Sequence, residues 1–212
     1  MSKNLFALTA LCLSLSACST LTSPFSSGAT PSGQTVAPYR DQVELTGRLN
    51  VVYQKDDKPE SATVNFNWQQ TAQRTDVTLY SPVGSTLATI AVTPQQAVLT
   101  QSGKAPHSAP DVDALSAQML GWSLPVSGLR DWLQGHAVGA DGKRFVASPA
   151  NDSVTTKDGW RLRYVSWQDA SDNTPGALPQ PRRIDAERNA SAQADAVSLR
   201  IVLDPAPSAQ AQ

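Results

Sequence analysis

The feature that most constrains this chain is an alternation of apolar and polar residues that returns along much of its length. Apolar side chains occupy every second position in four long segments: residues 43–53, 62–70, 160–167 and 197–203. Alternation with a period of two sends successive side chains to opposite faces of an extended chain. Each segment therefore predicts a strand with one apolar face, which is typical of antiparallel sheets.

Shorter segments predict further strands: residues 76–80, 87–92, 97–101, 145–147, 154–157 and 182–185. The middle of the chain departs from this pattern. Residues 110–120 have apolar side chains at helical spacing, and Ser127 is predicted to cap a second short helix that Gly135 closes. About ten antiparallel strands with two short helices between them leave two arrangements open, a sandwich or a curved sheet wrapped around something.

The beginning of the chain predicts a lipoprotein leader. Residues 1–17 combine Lys3, an apolar stretch and small residues at the end, which is the layout of a signal peptide. Cys18 follows directly, so the segment resembles the bacterial lipobox, in which the thiol receives lipid and the leader is removed. Ser19 stands where an aspartate would retain an enterobacterial lipoprotein in the inner membrane. The resemblance therefore implies lipid attachment at Cys18 and a place on the periplasmic face of the outer membrane.

Composition divides the rest of the chain. Residues 18–37 are rich in Ser, Thr, Pro and Gly and predict a lipidated, flexible tether, whereas the polar residues 206–212 predict a disordered tail. Residues 38–205 are predicted to form one domain. The formal net charge of −1 gives no reason to expect a nucleic-acid partner. Of the two cysteines, Cys12 lies in the leader and Cys18 would carry lipid, so we expect no disulfide.

Residue types that could perform catalysis are present, but their spacing is unfavourable. His107 and His136 are single residues, predicted in loops flanked by Pro or Gly, and lack the spacing of metal ligands. Asp111 and Asp113 are two positions apart, and we expect them to complement a helix dipole. The sequence therefore predicts no metal site, no cofactor and no enzymatic activity.

Pro82, Val83 and Gly84 predict a turn between two strands, because Pro fixes φ and Gly permits positive φ. Two interpretations of Val83 remain open: it points inward in an ordinary hairpin, or it forms an exposed aliphatic tip that meets lipid or a partner. The five tryptophans are similarly ambiguous. They pack in a filled core or line an apolar cavity, and periodicity alone does not separate the two.

Seven segments, taken in order, resemble one protein family: residues 47–49, 66–70, 81–86, 120–126, 129–135, 181–184 and 199–205. Together with Cys18 they make the chain similar to the LolB family, outer-membrane lipoproteins that receive other lipoproteins from a periplasmic carrier. The similarity covers about residues 39–205. It implies a mainly β fold, in which a curved antiparallel sheet forms an incompletely closed barrel with short helices as a lid over an apolar cavity.

The same resemblance implies a function. Acyl chains of the incoming lipoprotein would occupy the cavity, and the inward strand faces supply the candidate lining residues: Leu49, Phe66, Trp68, Leu79 and Leu99. Pro82, Val83 and Gly84 would form the membrane-insertion loop, where family members usually carry leucine instead of valine. The implied partners are a LolA-like periplasmic carrier, acylated lipoprotein cargo and outer-membrane lipids. We expect a monomer.

Two other classes remain as alternatives. An outer-membrane assembly or scaffolding lipoprotein would bind a protein partner without lipid transfer, and it would have a filled core. An envelope hydrolase would need paired acids or a Ser–His pair that converge in space. The insert at residues 169–181 receives no role.

Overall fold

Strands make up about half of the residues that the structure describes. A computed structural model describes residues 34–55, 58–120, 126–168, 178–190 and 196–205. The strands are β1 (Val43–Lys55), β2 (Lys58–Gln70), β3 (Thr75–Tyr80), β4 (Thr86–Val92), β5 (Ala97–Thr100), β6 (His107–Ala109), β7 (His136–Val138), β8 (Arg144–Val146), β9 (Ser153–Thr155), β10 (Arg161–Trp167), β11 (Pro181–Arg188) and β12 (Val197–Leu203). Two short helices, α1 (Val112–Leu120) and α2 (Val126–Trp132), stand between β6 and β7.

Ten strands form one antiparallel sheet in the order β6-β5-β4-β3-β2-β1-β12-β11-β10-β9, and β7 and β8 form a separate pair. The first and last strands are therefore neighbours near the centre of the sheet. In the part of the chain that the structure describes, the edge strands β6 and β9 do not pair with each other, so the sheet is not closed. The sandwich alternative is wrong, and the predicted open antiparallel sheet with two short helices is confirmed.

The predicted alternation holds in the strands where it is strongest. β12 buries every second residue, and its partner β1 pairs Leu49 with Ile201. Gly47 lies opposite Leu203 in this pair, where there is no room for a side chain. A Cβ atom at this position would lie 2.3 Å from the carbonyl oxygen of Val202, so a larger residue would force the backbones apart.

The interior consists of two apolar clusters. The main core joins β1–β3 and β10–β12 to α2, and its largest fully buried members are Trp160 and Tyr164. The small core lies under α1 and contains Ala88, Ala97, Leu99, Ala109, Val112 and Leu115. Leu79, Ile90 and Val126 contact both clusters. Trp68, Trp132 and Trp160 are buried in the main core, and Trp122 is outside the described residues.

Both helices begin differently from the prediction. α1 starts at Val112, because the Asp111 carboxylate accepts a hydrogen bond from the N–H of Ala114 at 2.7 Å and so caps the helix. Ser127 does not cap α2 but lies in its first turn. Its N–H donates to Asp113 at 3.0 Å, and its hydroxyl donates to the same carboxylate. A side chain from the neighbouring helix thus takes a role that local sequence assigns to Ser127.

The histidines also differ from the prediction, since His107 lies in β6 and His136 in β7 instead of loops. Three-residue strands are too short to show a period of two. His136 is buried, and its Nε2 lies 3.1 Å from the carbonyl oxygen of Ala37.

Residues 34–40, which we call the N-terminal strap, pack on the body. Val36 is 4% exposed and its N–H donates to the carbonyl of Ala147 at 3.0 Å. The prediction assigned residues 34–37 to the flexible tether, and Val36 among them packs against the body. The remainder of the tether, Cys18 and the predicted tail at 206–212 lie outside the described residues. None of the helices in the described part is both long and apolar enough to cross a membrane.

Candidate functional site

Beneath α2, the inner face of the sheet encloses a cavity of about 90 Å³. Its lining residues are all apolar: Leu49, Phe66, Trp68, Val77, Leu79, Ile90, Val126, Leu129, Leu133, Leu199 and Ile201. The sheet supplies one wall through β1–β4 and β12. α2 and the turn after it supply the opposite wall. The cavity therefore lies at the junction of the main core and the small core.

Four of the five predicted lining residues are brought together here, namely Leu49, Phe66, Trp68 and Leu79. Leu99 is not among them. It is buried in the small core, where α1 covers β5. Its period-two position correctly gave an inward direction, but periodicity does not tell which helix lies over a strand.

Seven lining residues were not predicted, although most of them lie in a periodic apolar pattern of the sequence. Leu199 and Ile201 belong to the alternating face of β12. Val126, Leu129 and Leu133 have the spacing of one helical face, so a second helix packed on the sheet would present them together. Val77 and Ile90 gave a weaker signal, because they lie in short strands.

The chemistry of the cavity is that of a hydrocarbon site. None of its lining residues is titratable, so a charged group placed there would lose its hydration without compensation. The indole N–H of Trp68 is already satisfied, since it donates to Gln70 Oε1 at 3.1 Å. An apolar ligand is therefore the type of molecule that these walls suit.

Polar contacts hold α2 over the cavity. The Arg130 guanidinium donates to Thr75 Oγ1 at 2.6 Å and to the carbonyl of Thr71 at 2.8 Å. Below the helix, the hydroxyl of Tyr164 donates to the carbonyl of Trp132 at 3.3 Å. Burial raises the pKa of Tyr164 well above its ordinary range, and the negative charge of Asp131 adds to this effect.

The turn between β3 and β4 presents a single exposed aliphatic side chain. Val83 is 89% exposed, so it does not point inward. The turn is rigidified by hydrogen bonds from the N–H of Gly84 and of Ser85 to Ser81, at 2.9 and 3.1 Å. Gly84 has φ +92°, a conformation that other residues rarely adopt. Leu87, at the beginning of β4, is also exposed.

Metal binding finds no support in the described ranges, because they contain no group of three or more His, Cys, Asp or Glu side chains placed to hold an ion. The two predicted helix-start aspartates are engaged with backbone N–H groups, as described above. Cys18, the predicted site of lipid attachment, lies outside the described residues.

By sequence, the chain matches one protein family. Residues 41–205 match the family model described as outer membrane lipoprotein LolB. An outer-membrane lipoprotein LolB from Cupriavidus metallidurans is 40% identical, with 76% of this chain and 78% of the relative covered. The corresponding protein from Ralstonia nicotianae is 38% identical, with 74% and 77% covered. Among solved structures, a LolA superfamily protein from Nitrosomonas europaea superposes with a TM-score of 0.43 at 9% identity, covering 76% of this chain and 84% of that one.

Proposed function

The chain belongs to the LolB family of outer-membrane lipoproteins, and from this premise we propose that it receives acylated lipoproteins and inserts them into the outer membrane. The donor in this proposal is a LolA-like periplasmic carrier. The observation that supports it most is the cavity under α2, whose walls are entirely apolar. The scaffolding alternative expected a filled core and has no such observation in its favour.

Acyl-chain transfer requires an apolar environment for the chains, and no covalent bond is made or broken. Apolar burial is non-directional and contributes about 0.8 kcal/mol for each methylene removed from water. A cavity with higher affinity for the chains than the donor has is therefore sufficient to draw cargo forward. We assign Leu49, Phe66, Trp68 and Leu79 to the wall that contacts the acyl chains. No catalytic residue, nucleotide or cofactor is part of the proposal.

The cavity must enlarge before it holds cargo. Its volume of about 90 Å³ is well below the roughly 300–1,000 Å³ typical of sites for ligands of this size. We infer that the described form is the closed one, and that cargo binds a form in which α2 and the sheet stand further apart. The contacts of Arg130 with Thr71 and Thr75 oppose that separation.

Delivery is assigned to the turn at residues 82–84. Burying a valine contributes about 1.5 kcal/mol, so Val83 assists contact with the bilayer but does not anchor the protein. A leucine would contribute about 0.8 kcal/mol more. Anchoring falls to lipid on Cys18, and we propose that the protein acts as a monomer.

The test is transfer from a purified carrier–lipoprotein complex to the complete chain carrying Cys18→Ala, followed by addition of phospholipid vesicles. We expect cargo to move to the acceptor and then to the vesicles. Val83→Glu should take up cargo normally but deliver it at least about tenfold more slowly, because a carboxylate is costly to bring into lipid. Since Val83 is almost fully exposed, this change should leave the free energy of unfolding within about 0.5 kcal/mol of the parent.

Val138→Glu is the matched control, because Val138 is an exposed valine at 42% on β7, away from the turn. It should deliver cargo like the parent. Absence of cargo transfer to the parent would contradict the receptor function. Normal delivery by Val83→Glu would contradict the role of the turn alone.

A further inference from the structure

A second and larger space lies where the N-terminal strap meets the sheet, and we call it the strap cleft. Its volume is about 420 Å³. The strap, the beginning of β1, the beginning of β11 with the two residues before it, and the end of β12 surround it. Val36, Leu45, Leu133 and Leu203 form an apolar floor, whereas exposed polar residues such as Gln42 stand at the rim.

The strap cleft and the cavity under α2 are neighbours. Leu133 lines both spaces, and it is 3% exposed. The four floor residues belong to the main core or pack against it, and so do the sheet residues of the cavity wall. The apolar surface is therefore continuous from one space to the other, and the side chain of Leu133 stands between them.

The two volumes differ in what they accommodate. In the described, closed form the cavity is too small for a long acyl chain, whereas the strap cleft already falls within the range typical of ligand sites. A hydrocarbon chain is thin and flexible, so it can pass a single side chain that changes its rotamer.

We propose that the strap cleft is the distal part of the acyl-chain site and that Leu133 determines how long a chain the protein accommodates. This inference rests on the proposed function, because it assumes that acyl chains enter the cavity under α2. Leu133 acts as a specificity-determining residue in it. The occupant of the cleft is the terminal part of a long saturated acyl chain.

The experiment compares two fatty acids, octanoate and hexadecanoate, as competitors of a fluorescent fatty-acyl probe on the complete chain carrying Cys18→Ala. Each methylene removed from water is worth about fourfold in affinity, so room for two more corresponds to about tenfold or more. Leu133→Ala should strengthen hexadecanoate binding by about tenfold and change octanoate binding less than about twofold. Gln42→Trp should fill the cleft from its exposed rim and weaken hexadecanoate binding by about tenfold, again with octanoate unchanged.

Leu99→Ala is the matched control, because it makes the same truncation in the small core, away from both spaces. It should leave the ratio of the two affinities unchanged. Thermal unfolding shows whether Leu133→Ala folds. If it does not fold, Gln42→Trp still tests the inference, because Gln42 is exposed. The inference is overturned if both acids respond equally to Gln42→Trp. If the parent binds neither acid, the proposed function fails and this inference fails with it.

Discussion

The two halves of the sheet, one toward each edge, differ in the charge of their outer surfaces. On β10–β12, which we call the charged half, Arg161 pairs with Glu187 at 3.2 Å, and Asp185 lies between Arg183 at 2.6 Å and Arg200 at 3.7 Å. On the other side, residues 77–103 contain no charged residue, and we call this segment the uncharged half. It contains most of β3, all of β4 and β5, and the exposed turn at Val83.

Their inner surfaces differ as well. The charged half buries large side chains, with Leu162 and Tyr164 each 1% exposed, and Trp160, directly before β10, is buried to the same extent. The Tyr164 ring stacks with Phe145 and with Trp167 at centroid distances of 6.2 and 6.0 Å. The uncharged half contributes alanines and Leu99 to the small core, together with part of the cavity wall. The charged half thus buries large aromatic and aliphatic side chains, whereas the uncharged half buries mainly small ones and borders the cavity.

The difference in surface charge leads us to expect one orientation of the protein at a membrane. Exposed ion pairs add only about 0–1 kcal/mol of stability each, but moving charges into lipid is costly. The charged half is therefore suited to water. The uncharged half carries exposed Val83 and Leu87 in a segment that has no charged residue of its own, so we expect this half to face the bilayer.

The largest effect should come from truncating the filled side. Trp160→Ala should lower the free energy of unfolding by about 3–5 kcal/mol, because it leaves a large void in the main core. Leu99→Ala should cost about 2 kcal/mol, near the lower limit for a buried leucine, since its alanine neighbours offer fewer contacts. Urea unfolding of both variants measures this. If Trp160→Ala costs no more than Leu99→Ala, the tighter packing of the charged half is contradicted.

A smaller effect should follow from adding a charge to each outer surface. Leu87→Glu should weaken binding of the Cys18→Ala chain to phospholipid vesicles by about tenfold or more, because an aliphatic contact is lost and a carboxylate is brought near lipid. Val165→Glu changes an exposed aliphatic residue on β10, 37% exposed against 44% for Leu87, and should leave vesicle binding unchanged. Co-sedimentation with vesicles measures the binding of both variants and of the parent. If Val165→Glu has the larger effect, the assignment of the two faces is reversed.

The smallest effect concerns the buried hydroxyl of Tyr164. Because burial raises its pKa, the folded state favours the neutral phenol, and the associated stability is present below the ordinary value of 10.0 and lost as pH rises above it. Tyr164→Phe should cost about 1 kcal/mol at neutral pH through the lost hydrogen bond to Trp132.

Above about pH 10 the same variant should lose stability less steeply than the parent, by at most about 1.4 kcal/mol per pH unit. Urea unfolding at neutral and at alkaline pH compares the two slopes. Tyr53→Phe is the control variant. The pKa of Tyr53 is also raised, but by a hydrogen bond to Glu60 near the surface and not chiefly by burial. Parallel slopes for Tyr164→Phe and the parent would mean that Tyr164 does not contribute to alkaline unfolding.

Sequence analysis succeeded where the periodic pattern was long. β1, β2, β10 and β12 were located by alternation, and Leu49, Phe66 and Trp68 were given their correct inward direction. It failed where a contact from elsewhere decides the outcome. Asp113 engages the first turn of α2 in place of Ser127, and His136 belongs to a short strand that the N-terminal strap covers.

The order of residues by itself determined the long strands, their apolar faces and the turn at residues 82–84, because these depend on neighbours along the chain. Only the tertiary structure decided that one sheet curves around a cavity and that α2 covers it. It also decided that Leu99 lies outside the cavity and that the strap cleft lies next to it. The physical reason is that a period of two gives each side chain a direction, whereas the space it meets depends on elements distant in sequence.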